Sequence, residues 1–302
     1  TVWTFHLRKD VKWHDGTPFV AADVKYNFDR IINPDVAALR AGDLACVDSV
    51  EAPDDYTVVF NLNTPVAAFI TKCLLINPGL LAQPKALEEY GESYSDHVVG
   101  TGPYKLVEWI PGEKVRMEAN PDFYLGEPAT KYVEFRLIPD PMTALIDFLF
   151  NIPSTEMAAF ENNEDIVLER AKDFGVCWIF LNVAMDPCND INVRKAIAHA
   201  IDYETIYQTM LTDFGLLADS YLPNHNWAYD NPRVDELVLA ANSTGDQEER
   251  KELYIEIQKI IKEDYVSLPF YSRYAQVGVS AKVEGFTHSA AIFDLQDVRV
   301  AK

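Results

Sequence analysis

With 302 residues, the chain is long enough for two domains, each with its own core. Its 26 Lys and Arg against 47 Asp and Glu give a net charge of −21, a surface that repels nucleic acid and anionic lipid and so speaks against a role on either. A hydrophobic share of 48% with 24% charged residues is ordinary for a soluble globular protein, and no run of eighteen or more apolar residues offers a membrane span.

In chain order, Val2–Arg8 alternates with Trp3, Phe5 and Leu7 on one face, which predicts a half-buried strand. The Asp15–Gly16 turn and Pro18 end it. Ala21–Ile32 carries Val24, Phe28 and Ile31 at helical spacing and stops at Asn33–Pro34. Tyr56–Leu62 is a second alternating strand, so residues 1–68 read as a small α+β unit. Beyond apolar stretches broken by Pro78 and Pro84, strands are expected at Tyr104–Trp109 and Lys114–Glu118, joined by a Pro111–Gly112 turn. Another fits Tyr132–Ile138, with Val133, Phe135 and Leu137 on its buried face.

Gly175–Val183 is a nearly continuous apolar run, expected to be a strand covered on both faces. Period two sets Trp178, Phe180 and Asn182 on one side of it. That face reads equally as core or as a pocket wall, in which two rings cover side chains and an amide pairs with a peptide bond. Val193–Ile201 is helical, with Arg194 and Lys195 expected to point to water. Asp202 caps a helix over Tyr203–Leu211. Gln247–Asp264 is the clearest helix: Asp246 and Glu249 have capping-box spacing, and Leu253, Ile257, Ile260 and Ile261 form its apolar face. Ser267–Tyr271 and Ala275–Val279 read as return strands.

Motif by motif, the chemistry points away from catalysis and from a resident cofactor. Gly100–Thr101–Gly102–Pro103 has neither the third glycine nor the lysine of a phosphate loop, and Pro103 removes a donor, so it reads as a sharp turn with glycines at positive φ. His14–Asp15 is part of a turn, and the six histidines are dispersed without H-E-x-x-H spacing, so no metal site is expected. G-x-S-x-G is absent. Cys46, Cys73, Cys177 and Cys188 contain no C-x-x-C pair. They read as four buried thiols, or as a short Cys177–Cys188 loop among three possible pairings.

Three ordered blocks carry a resemblance: His14–Pro18 (HDGTP) leading into Ala22–Phe28 (ADVKYNF), Val99–Leu106 (VGTGPYKL) and Asp190–Asp202 (DINVRKAIAHAID). With Thr1–Arg8, Glu51–Leu62, Asn120–Gly126, Asp147–Pro153 and Ala241–Tyr254, they make the chain similar to the extracytoplasmic solute-binding proteins of the oligopeptide, dipeptide and nickel ABC importers.

The resemblance implies an α/β, bilobal periplasmic binding protein fold of type II with a small extra N-terminal α+β subdomain. The expected division is that subdomain (1–68), a first lobe (69–172 and 280–302) and a second lobe (173–279). The second lobe is expected to be incomplete. Residues 223–230 run directly into 231–237 where the family has a long intervening stretch, and the family's usual start is missing too, so the chain reads as a shortened copy. The implied function is the substrate-binding component of an ABC importer. It would capture short peptides between the lobes and deliver them, unaltered, to permease subunits in the membrane, as a monomer outside the cytoplasm, lipid-anchored when intact. Phe150 and Asn151, where the family chain passes the cleft, join Trp178, Phe180 and Asn182 as implied ligand contacts, and Gly100, Thr101 and Gly102 as an implied hinge. The alternatives are a receptor for a nickel complex (with His225 as a lone contact), a sugar or another solute, a non-binding truncated remnant, and an enzyme.

Overall fold

The computed structural model describes residues 1–75, 79–138, 147–150, 152, 160–161, 163–211, 215–217, 231–288 and 293–301. The chain divides into two compact units, residues 1–139 with 295–300 and residues 140–294 with 301–302.

In the first unit, β1 (Val2–His6), β2 (Val47–Asp54) and β3 (Thr57–Leu62) make an antiparallel sheet in the order β1-β3-β2. Helix α1 (Ala21–Ile32) packs on it. The helix starts where Asp23, its third residue, accepts from the Val20 amide (3.1 Å) and from Trp13 Nε1 (2.9 Å). It stops before Pro34, whose ring disfavours helical backbone at Asn33. Period-two alternation sends Phe60 into the core, where it meets Phe28 edge-on at 4.9 Å and Phe69 at 5.3 Å. Such contacts add to simple burial. Strands β1 and β3 and helix α1 match the sequence reading to within a residue or two, whereas β2 has no counterpart in it.

Helix α2 (Pro84–Tyr90) follows, with Pro84 in its first turn. The sequence reading took Pro84 only as a breaker. At the first helical position the missing N–H costs nothing and the fixed φ suits the helix. Strands β4 (Tyr104–Ile110), β5 (Lys114–Ala119) and β6 (Tyr132–Arg136) form a second antiparallel sheet in chain order. Gly112, at φ +77°, closes the first hairpin. Trp109, Val115 and Phe135 share one row across this sheet. The expected buried face of β6 needs correction: Val133 is half-buried, while Phe135 and Leu137 are 37% and 67% exposed. The alternation is as read; alternation fixes which residues share a face and leaves open what covers that face.

In the second unit, β10 (Ser267–Ser280) is the central strand. It pairs antiparallel with β8 (Ile166–Phe180) on one side and with β7 (Phe148–Phe150) and β9 (Gly215–Leu217) elsewhere along its length. The two expected return strands are therefore one, interrupted by register shifts at Pro269/Tyr271 and Ser272/Tyr274. Proline donates nothing to a ladder, so a shift beside Pro269 is where one belongs. The strand covered on both sides is β10, whose residues Ser267–Pro269 and Gln276–Val279 are buried. The Gly175–Val183 run, expected to be so, instead supplies the end of β8, which closes at Phe180 (45% exposed) and lies at the edge of the sheet formed by the described strands. Strand β8 also runs unbroken through 172/173, and residues 140–172, expected in the first lobe, fall in the same compact unit as 173–279.

Helices α3 (Ile191–Ala200), α4 (Tyr203–Ile206), α5 (Pro232–Ser243) and α6 (Gln247–Asp264) complete this unit's longer elements. Asp202 accepts from the Thr205 amide as expected. Asp246 accepts from the amides of Glu248 and Glu249, both at 2.9 Å, and Val234, Leu237, Ile257, Ile261 and Val266 form a core between α5 and α6. Arg194 overturns its expectation. It is 7% exposed, not turned to water. Its guanidinium donates to the carbonyls of Asp264 (2.9 Å), Cys188 (2.8 Å) and Asn189 (3.2 Å). A cation on the last carbonyl of α6 suits the negative end of the helix.

Candidate functional site

The Gly100–Gly102 turn is held by the HDGTP segment. The His14 amide donates to the Gly100 carbonyl (2.8 Å), the Gly100 amide donates to His14 Nδ1 (3.2 Å), and His14 Nε2 lies 3.0 Å from the Gly102 carbonyl. Since Nδ1 accepts, the ring is the neutral tautomer with its proton on Nε2, donating to Gly102. Burial, aided by the charge of Lys105, pushes the imidazole below its ordinary pKa. Asn120, 1% exposed, donates its Nδ2 to the same Gly102 carbonyl (3.1 Å), so both lone pairs of that oxygen are used. Neither Gly100 nor Gly102 has positive φ; the glycines that do are Gly16, Gly91, Gly112, Gly126 and Gly285. The turn is thus shaped by partners on its flanks, not by left-handed backbone.

Asp15 extends the fastening. It accepts from the Thr17 amide (2.9 Å) and from Gln83 Nε2 (2.8 Å). Burial opposes its ionisation, yet the hydrogen bonds from Thr17 and Gln83 keep it below the usual carboxylate range. Gln83, itself buried, donates its amide to Val99 beside the turn. The residues that make HDGTP recognisable are therefore fasteners within this unit.

In the second unit, Trp178 is half-buried and Phe180 is 45% exposed. Their rings stack at 6.1 Å and 17° on the end of β8, as residues two apart on one strand face should. Asn182 lies past the strand's end, exposed, where its Oδ1 accepts from the Ala184 amide (3.1 Å) and its carbonyl accepts from the Met185 amide. It heads a turn and does not continue the strand row. Phe150 is half-buried on β7, stacked with Phe148 at 6.3 Å. The register places it opposite Val277, whereas Trp178 is opposite Pro269. Eight residues along β10 separate the two, roughly 26 Å at the rise of an extended strand, so the structure does not gather Phe150 with the Trp178–Phe180 pair. Asn151 and His225 lie outside the described residues.

Among the described residues no three or more His, Cys, Asp or Glu side chains are grouped to hold a metal ion, and no helix is long and apolar enough to cross a membrane. The sulfur–sulfur contact is between Cys46 and Cys73, not within the Cys177–Cys188 loop, and only Cys73 is fully buried, against the reading of four buried thiols. Sequence reasoning missed the clasping role of His14, the buried carboxamides of Gln83 and Asn120, and the capping role of Arg194. All but Gln83 sit inside the blocks that carried the resemblance, which was the available signal.

Residues 1–269 match the family model of bacterial extracellular solute-binding proteins, family 5. A glutathione-binding protein GsiB of Pectobacterium atrosepticum is 32% identical over 256 residues, which cover 79% of this chain and 49% of that protein; the chain spans about half the length of the curated relatives it matches. Among solved structures, a dipeptide-binding protein of Pseudoalteromonas sp. SM9913 in complex with Met-Leu superposes with a TM-score of 0.85 at 20% identity, over 99% of this chain and 88% of that one. NikZ of Campylobacter jejuni in complex with Ni(L-His) does so with a TM-score of 0.81 at 19% identity, over 98% and 86%. The fold is the α/β, type II periplasmic binding protein fold of these structures. On the extent of the family match, the chain belongs to the bacterial extracellular solute-binding proteins, family 5.

Proposed function

We propose that this chain is the substrate-binding component of an ABC importer for short peptides, working outside the cytoplasm as a monomer that hands its ligand, chemically unaltered, to permease subunits in the membrane. The observation that carries the reading is the stacked Trp178–Phe180 pair, left part-exposed at the end of β8 in a chain of this family. Aromatic rings offered to solvent by a protein of such high net charge are suited to covering apolar side chains of a guest. The Asn182 carboxamide, with its oxygen engaged locally, offers its NH2 end to a peptide carbonyl. The relative that binds glutathione, itself a tripeptide, and the structural neighbour holding Met-Leu support a peptide over other solutes.

Capture would proceed by closure of two lobes on the ligand, with the pinned Gly100–Thr101–Gly102 turn as the anchored end of the hinge and Phe150–Asn151 as a second contact region. Binding and release without bond making belong to the same proposal, and no enzymatic step is assigned. A lipid anchor on the intact protein belongs to the same proposal. A second reading on this fold, a receptor for a metal–amino acid complex, is favoured by the neighbour holding Ni(L-His). Thermal-shift screening of the chain against pooled di- and tripeptides, glutathione and nickel–histidine separates the two. A rise in the midpoint with peptides alone supports the proposal, a rise with nickel–histidine alone supports the second reading, and no rise with either supports the non-binding remnant.

A further inference from the structure

Two thiols far apart in sequence meet in the core of the N-terminal unit. Cys46 Sγ lies 3.8 Å from Cys73 Sγ. Cys73, on the single helical turn Ile70–Leu74, is 0% exposed among Leu44, Val47, Val66 and Phe69. Cys46 is half-buried at the margin of the same core, directly before β2. Both backbones are held. The Cys46 carbonyl accepts from the Asn63 amide (3.0 Å), Asn63 Nδ2 donates to the Ala45 carbonyl (2.8 Å), and Leu75 donates to Ile70 to close the turn that carries Cys73.

We infer that Cys46 and Cys73 are an oxidisable pair that forms a disulfide in this protein. A covalent bond needs the sulfurs to approach to about 2 Å, from the 3.8 Å at which they already lie. The half-buried Cys46 is the sulfur that an external disulfide reaches first. Its thiolate attacks one sulfur of the donor disulfide, forming a mixed disulfide and expelling one donor thiolate. The Cys73 thiolate then attacks Cys46 Sγ and expels the second donor thiol. Two electrons pass to the donor, which leaves as two thiols carrying the two protons that the cysteines lose. Family 5 proteins are extracellular, and outside the cytoplasm donor disulfides of this class are at hand. The bond would tie the start of β2 to the helical segment beyond β3 and close a loop of roughly 28 residues, restricting the unfolded chain.

The sequence itself provides a clean readout. Trypsin places Cys46 on the peptide 41–72 and Cys73 on the peptide 73–85, so the bond joins two peptides that are otherwise separate. The folded chain is equilibrated with cystamine, quenched with iodoacetamide in denaturant and digested without reduction. The proposal expects the 41–72/73–85 pair by mass spectrometry. It also expects a thermal midpoint higher by about 5 °C or more than that of the reduced chain, with both effects absent in Cys46→Ala. Cys46 is only half-buried, so that variant folds where a core Cys73→Ala variant need not. Full alkylation of both cysteines after cystamine treatment, or a cross-link of either to Cys177 or Cys188, overturns it. The result is independent of what the protein binds.

Discussion

His14 is bonded from both sides by a single turn: Nδ1 accepts from the Gly100 amide at 3.2 Å while Nε2 faces the Gly102 carbonyl at 3.0 Å. Only the neutral ring protonated on Nε2 satisfies both contacts, because a proton on Nδ1 would point at another N–H. This one imidazole joins the two glycine-bearing blocks by which the family is recognised.

A pH dependence follows. Burial lowers the folded pKa of His14, so between that value and the ordinary value near 6.5 the unfolded chain binds more protons than the folded one. The contribution to stability is present above the unfolded pKa and is lost as pH falls through the folded pKa. Urea midpoints should therefore decline from pH 7 towards pH 5 more steeply in the wild type than in His14→Gln. Long-range nitrogen-15 NMR should show the ring protonated on Nε2. Parallel pH profiles, or a ring protonated on Nδ1, would remove the clasp.

Arg194 should behave as a structural cap. Removing its guanidinium leaves the Asp264, Cys188 and Asn189 carbonyls without their donors, at a cost of about 2–4 kcal/mol in Arg194→Ala. Arg194→Lys should recover little, since an ammonium lacks the planar fork. Urea unfolding of both variants checks this. A loss below about 0.5 kcal/mol would mean that solvent serves the carbonyls equally well.

The glycines divide by conformation. Gly16 and Gly126, at φ +88° and +107°, should each lose about 1 kcal/mol as alanine. At Gly100, a Cβ would meet His14 Cε1 at an ordinary 3.5 Å, so Gly100→Ala should be close to neutral. Equal losses at all three positions would restore the left-handed reading of the Gly100 turn.

How much of this was legible in the sequence depends on the kind of information each feature needs. Alternation and helical spacing are local, so α1, α6, β3 and the Tyr104–Ala119 hairpin emerged nearly at their observed bounds. Burial is not local. Leu137 alternates correctly and is still exposed, and Arg194 looks like a solvated charge until the last carbonyl of α6, seventy residues onward, is placed against it. Pro84 shows a third case, in which one residue type breaks a helix or begins one according to position. For the candidate site, the Trp178–Phe180 stack was readable from period two. The turn at Asn182 and the separation of Phe150 required the sheet register.

The aromatic pair offers a separation of binding from stability. Phe180 is 45% exposed, so Phe180→Ala should cost less than about 1 kcal/mol of folding stability. Peptide affinity should fall by roughly tenfold, the loss of one aromatic anchor. Unchanged affinity with intact folding would place the ligand elsewhere.

Isothermal titration of the chain with short peptides, glutathione among them, followed by mass analysis of the recovered ligand, tests the account most directly. Saturable binding at one site per chain, weakened by Trp178→Ala, with the peptide recovered intact, is the expected result. Heat without saturation, no heat at any peptide, or a cleaved peptide would contradict it.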